Sequence, residues 1–156
     1  MIIKVIGAFI AIAGFAIMLE IPKNYVGYAG IVGTVGWFVY IFSQDMGTTD
    51  VIATFLSATA VSIVSHFFAR IFKAPVTVFL VAGILPTVPG AGMYRIAYSV
   101  IAGNSEMTAH YLITTLELAA AIAIGIFIVD AVFRVFQKDF KQNSMTYDKN
   151  ECKTGE

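Results

Sequence analysis

Five long apolar stretches, parted by short polar or proline-bearing segments, decide what this chain can fold into. They cover residues 5–19, 25–42, 51–68, 76–102 and 108–133. A helical crossing of a bilayer needs about 20 mostly apolar residues at ~1.5 Å rise each, fewer where the flanks snorkel. Composition points the same way: 58% of the 156 residues are hydrophobic and 13% charged. A soluble domain is about half apolar and about a quarter charged, so this chain lacks the polar groups to clothe a water-facing surface. A soluble enzyme is excluded. Ten Lys+Arg against ten Asp+Glu, with no basic patch, removes nucleic acid as a partner. The one cysteine, Cys152, lies in the polar end of the chain and supports neither a disulfide framework nor a thiolate metal cluster. The expected class is an all-α integral membrane protein in a lipid bilayer.

Counting only Lys and Arg orients the spans. With the N-terminus outside, Lys23, Arg70, Lys73, Arg134, Lys138, Lys141, Lys149 and Lys153 are cytoplasmic, and Lys4 alone is outside. This bias emerges only if residues 76–102 form one crossing, broken at residues 86–90. The expectation is therefore five transmembrane helices, the fourth broken, N-out and C-in. Lys4 before an apolar run also fits a secretory signal entering the other way, although no small-residue cleavage site follows Leu19. A four-span arrangement also stands, with the first segment on the surface or the broken one re-entrant. Residues 1–136 read as one multi-pass membrane domain. Residues 137–156 have no helical stripe and read as a disordered, solvated cytoplasmic tail.

Polar groups and helix breaks are expensive in lipid unless protein or water surrounds them, so they mark functional candidates. Pro86 and Pro89 each remove a backbone donor and disfavour helix at the residue before. A helix restarting near Ala91 points its free N–H groups and positive dipole end into the span. Discontinuous transporter helices place anionic substrate groups at such ends. Gly90, Ala91, Gly92, Tyr94 and Arg95 are thus candidates for binding a substrate carboxylate, with Arg95 in the first turn of the half-helix as a bidentate donor. The rival reading is a structural kink with Arg95 paired to Glu117 or Asp130.

The third stretch carries Thr59, Ser62, His66 and Arg70 at helical spacing, with Ser65 beside them. It either lines a wet cavity, where His66 takes a proton, or bonds its hydroxyls to neighbouring backbone. In the fifth stretch His110, Thr114 and Glu117 share a face. Glu117 lies half a span deep and must be protonated, paired or wet. His66 and Glu117 are the candidates for a coupling proton. Asp130 sits four residues before Arg134, the spacing of a helix-end ion pair. Gly27, Gly30, Gly33 and Gly36 repeat every third residue and so wind around the second helix as a packing ribbon, open to tight contact with another subunit. No Walker loop, hydrolase elbow or metal-ligand cluster is present in the sequence, so neither an enzyme nor a metal site or cofactor is expected.

Arg70-Ile-Phe-Lys-Ala-Pro75, followed by Gly83-Ile-Leu-Pro-Thr-Val-Pro-Gly-Ala-Gly-Met-Tyr94, resembles the threonine/serine exporter family. More narrowly the chain is similar to its small, YjjB-like subunit, the counterpart of the C-terminal membrane half of single-chain members. The similarity runs over about 5–133, and Pro86, Pro89, Gly90 and Tyr94 carry the pattern. It implies a secondary exporter of small carboxylate metabolites, threonine and serine or a dicarboxylate such as succinate. It also implies a larger membrane subunit as partner and a bacterial inner membrane as location. It transfers no substrate residues, so Arg95 and Glu117 rest on the physical argument. A membrane scaffold or channel-like accessory protein is the alternative.

Overall fold

The computed structural model describes the backbone of residues 2–154 and the side chains of residues 6–135. Among the described residues there are six α-helices and no strand: α1 (Ile2–Met18), α2 (Lys23–Asp45), α3 (Asp50–Phe72), α4 (Val76–Ile84), α5 (Gly90–Ile101) and α6 (Ser105–Thr154). A 3₁₀ turn, Leu85–Thr87, joins α4 to α5. The boundaries follow local chemistry. Pro22 and Pro75 stand at the N-caps of α2 and α4, where a missing N–H costs nothing. Lys73 closes α3 in the left-handed conformation, its N–H bonded to the Ala69 carbonyl. Asn104 Oδ1 accepts from the Met107 amide at 3.1 Å, which caps α6.

Three helices are long and apolar enough to cross a membrane: α2, α3 and the part of α6 over Ser105–Val135. The pair Val76–Thr87 and Gly90–Ile101, bent by 54°, makes a fourth if it forms one span. α1 is apolar but shorter than these, so a five-span arrangement depends on a crossing of less than full length. The backbone of α6 stays helical to Thr154, through much of the segment set apart by sequence as an irregular tail. A missing apolar stripe removes a packing face, not the internal hydrogen bonds of a helix. The side chains of Lys4, of Cys152 and of the four lysines after residue 136 lie outside the described residues.

The packing inverts that of a soluble protein. Large apolar side chains such as Ile10, Ile31, Phe38, Phe42, Phe67 and Phe127 are exposed, while Ala16, Ala29, Ala53, Ser57, Ala58, Ser62 and Ser65 are fully buried. Small residues let helix backbones approach where lipid supplies no hydrophobic drive for helices to associate. α3 packs against α2, α4 and α6; α2 lies between α1 and α3; α4 rests on α2 and α3. The glycine ribbon works inside this bundle. Gly30 and Gly33 receive Phe9 and Ile12 of α1, Gly36 receives Val61 of α3, and only Gly27 is open. At the tightest crossing Ser57 Oγ donates to the Gly36 carbonyl at 2.8 Å. Three of the four ribbon glycines therefore pack within the chain. Phe79 fills the centre against Tyr25, Phe68 and Phe72, with ring centroids 5.7–6.3 Å away.

Candidate functional site

The sequence Pro86-Thr-Val-Pro89 breaks the helix, as two absent amides require. Leu85 to Thr87 tightens into the 3₁₀ turn, and Thr87 Oγ1 donates to the Ile84 carbonyl at 2.7 Å, satisfying an acceptor the break leaves behind. Gly90 N–H bonds the Val88 carbonyl and Met93 N–H the Pro89 carbonyl. The amides of Ala91 and Gly92 have no turn partner, and no side chain caps α5. They are the free donors expected at a helix N-terminus. Gly90 and Ala91 are exposed and Gly92 half-buried.

α5 packs against α6 alone among the described residues. The contact is close at Gly92, where a Cβ would run into Thr115 Oγ1. Arg95 is the sixth residue of α5 and so lies in its second turn, not in the first. The helix begins at Gly90, because the φ of Pro89 (−76°) already suits entry while its ψ of 56° does not continue a helix. The Arg95 guanidinium is exposed and stands 5.8 Å from the Tyr111 ring centroid, a cation–π contact. It joins no ion pair among the described residues, so the expected rival pairing with Glu117 or Asp130 is not formed. Tyr94 is 70% exposed and stacks on Tyr98. Glu117, His110 and Thr114 are exposed on α6, with Thr114 Oγ1 bonded back to the His110 carbonyl at 3.0 Å. The structure thus gathers Gly90, Ala91, Gly92, Tyr94 and Arg95 on α5, where among the described residues only α6 packs against them, and Glu117 is exposed.

His66 lies elsewhere. It is buried between α3 and α6, its ring stacked on Phe133 at 4.6 Å. Its Nε2 is 3.4 Å from Asp130 Oδ1, while Arg134 Nε donates to Asp130 Oδ2 at 2.7 Å. The expected Asp130–Arg134 pair is present, but sequence reasoning missed the second partner, 64 residues away. One signal was available: His66 and Asp130 each stand one turn before the Arg near the end of their apolar stretch (Arg70, Arg134). Thr59 bonds its own helix at the Phe55 carbonyl, whereas the buried hydroxyls of Ser62 and Ser65 have no partner. A cavity of about 410 Å³ opens between α3, α4 and α6, with His66, Thr77 and Asp130 as its polar lining. A second, apolar cavity of about 430 Å³ lies between α1 and the break, against Trp37 and Pro86.

Comparison with known proteins adds a family. The family model described as "Threonine/Serine exporter, ThrE" matches residues 4–132. A curated relative, "Threonine/serine exporter" from Corynebacterium glutamicum, is 28% identical over 132 residues, which cover 84% of this chain and 27% of that protein. The chain thus spans about a quarter of the length of the curated relative it matches. No solved structure matches it.

Proposed function

The chain belongs to the threonine/serine exporter family, and on that premise we propose that it is the small membrane half of a secondary exporter for threonine, serine or a small dicarboxylate such as succinate. A transporter, not an enzyme, is what the family indicates. The observation that carries the site is the start of α5: two uncapped amides, at Ala91 and Gly92, with the unpaired Arg95 one turn further along. Backbone donors at a helix N-terminus and a guanidinium together suit a carboxylate. Tyr94 lies beside them with its phenol exposed. Glu117 or His66 accepts the coupling proton.

A larger membrane subunit of the same family is the proposed partner. The α5 region and the Glu117 face of α6 support this, because Arg95 and Glu117 are exposed within apolar stretches. A charged side chain at mid-bilayer costs about 2.5–3.5 kcal/mol even on the lenient insertion scale, so lipid is a poor cover for that surface. The remaining parts of the proposal are five spans, N-out and C-in, in a bacterial inner membrane, with residues 137–156 as a cytoplasmic extension.

Efflux from preloaded cells tests the reading, comparing this chain, Arg95→Ala at matched abundance, and a deletion. Arg95 is exposed and its one described contact is with Tyr111, so the variant should insert and fold normally. Loss of threonine, serine or succinate efflux in both altered strains is the expected result. Normal efflux in Arg95→Ala would remove the carboxylate site, and unchanged efflux on deletion would favour a scaffold.

A further inference from the structure

His66 presents both ring nitrogens to oxygen atoms that act as acceptors. Nδ1 lies 3.0 Å from the backbone carbonyl of Ser62, one turn earlier on α3, and Nε2 lies 3.4 Å from Asp130 Oδ1 on α6. A neutral imidazole has one N–H and one lone pair. In either tautomer, therefore, one nitrogen lone pair faces an oxygen lone pair. The ring is only 7% exposed while the Asp130 side chain is 37% exposed, so water reaches the carboxylate more readily than the imidazole. One added proton removes the conflict of lone pairs. With that proton between Nε2 and Oδ1, every ring nitrogen has a donor–acceptor partner, whichever heavy atom holds the hydrogen.

We infer that His66 and Asp130 form a proton-binding site that latches α3 to α6. The surroundings hold the pair in register. Arg134 fixes the other carboxylate oxygen at 2.7 Å, and Phe133 stacks on the imidazole at an interplanar angle of 24°. The cavity between α3, α4 and α6 gives the pair an opening. Its lining holds no other titratable group, and α4 contributes Thr77 as its polar residue. The charged groups nearby are Arg134 and, one turn along α3, the exposed Arg70.

Ser62 marks the same turn as unusual. Thr34, Ser43, Thr59, Thr114 and Thr115 all bond the carbonyl four residues earlier, but the buried Ser62 hydroxyl bonds nothing.

Uptake of one proton lets both ring nitrogens donate at once, so the bond between the helices becomes charge-assisted while Nδ1 keeps the Ser62 carbonyl. Its release leaves one N–H for two acceptors, so the bond to Asp130 competes with the one to Ser62 and the latch weakens. The site is separate from the proposed carboxylate site. Asp130 is 15 residues along α6 from Thr115, which touches Gly92, so the two lie about 22 Å apart at ~1.5 Å rise per residue. The inference rests on the exporter reading only for the use made of the proton.

The test uses the full chain in lipid nanodiscs with ¹⁵N-labelled histidine and no substrate. Ring nitrogen signals of His66, distinguished from those of His110 by His110→Gln, are followed between about pH 5 and pH 8. Asp130→Asn keeps the shape of the side chain and offers an amide N–H to Nε2, so a neutral ring is satisfied without the proton. The expected result is that both His66 ring nitrogens carry hydrogen in the native chain at a pH where Asp130→Asn leaves one of them a bare acceptor. The same pattern of ring-nitrogen signals in the two proteins at every pH would overturn the inference. If Asp130→Asn does not fold, spin labels at the exposed Ile63 and Ile128 of the otherwise native chain read the latch. One short α3–α6 distance at low pH that lengthens at high pH supports it, and a pH-independent distance overturns it. Efflux absent with the titration intact would remove the exporter reading and leave the proton site standing.

Discussion

Gly92→Ala probes a tight contact between α5 and α6, and its size can be worked from the structure. A Cβ at position 92 would overlap Thr115 Oγ1, and that hydroxyl is held by its bond to the Tyr111 carbonyl at 2.7 Å. Either the bond breaks or α5 lifts from α6, the only helix it packs against among the described residues. Forcing one methyl into a filled contact costs about 1–3 kcal/mol. Against this, Ala gains about 0.8–1.0 kcal/mol over Gly inside a helix. The net destabilisation is thus between about zero and 2 kcal/mol. Thr115→Ala removes the obstacle, because the Cβ that remains at 115 lies at 3.4 Å, ordinary contact. In that background Gly92→Ala should stabilise α5 by about 1 kcal/mol. Hydrogen exchange of the α5 amides in nanodiscs reads the local opening directly. A coupling of about 1–3 kcal/mol between the two substitutions is expected. If Gly92→Ala has the same effect in both backgrounds to within about 0.5 kcal/mol, the close approach of α5 to α6 is wrong.

Two further outcomes test the bundle. Phe79→Ala empties the aromatic centre among Tyr25, Phe68 and Phe72 and should lower stability by about 3 kcal/mol in detergent unfolding; a change below about 1 kcal/mol would mean that the cluster does not hold α4. Ser57→Ala removes the bond to the Gly36 carbonyl and should cost about 0.6 kcal/mol, whereas Ser57→Val should cost several times more by pushing α2 from α3.

Much of this architecture was legible because it follows from single residues acting on their own backbone. The apolar stretches gave the helices to within a few residues except at the end of α6, which runs on to Thr154, and Pro86 and Pro89 gave the break, since a missing amide acts locally whatever the fold. The period-three glycines predicted a winding contact, and they do wind, from Phe9 and Ile12 of α1 to Val61 of α3. Their partners were not legible. A glycine records that something comes close, not which helix it is, and here the neighbours lie in the same chain. Arg95 falls in the second turn of α5 whether the helix starts at Gly90 or at Ala91, since a turn holds about 3.6 residues and Arg95 is the sixth or the fifth.

The pairing of His66 with Asp130 shows where sequence reasoning can be extended. Spacing rules connect residues within one helix, so Asp130 was given to Arg134 and the account closed with one carboxylate oxygen unassigned. Depth connects residues on different helices. In a membrane bundle an Arg near the end of an apolar stretch marks the level at which the hydrocarbon region ends, since its charge must reach polar surroundings. His66 precedes Arg70 by four residues, and Asp130 precedes Arg134 by four. Each is therefore about 6 Å inside its own marker at ~1.5 Å per residue. On two helices that end at the same face, they stand at one level. A buried imidazole and a carboxylate at equal depth on neighbouring helices are natural partners, since the imidazole is buried and the carboxylate keeps one oxygen beyond its bond to Arg134. What sequence lacks is the adjacency of α3 and α6. Gly125 supplies it, sitting one turn and a half before Asp130 and receiving Thr59 and Phe55 where α3 presses closest.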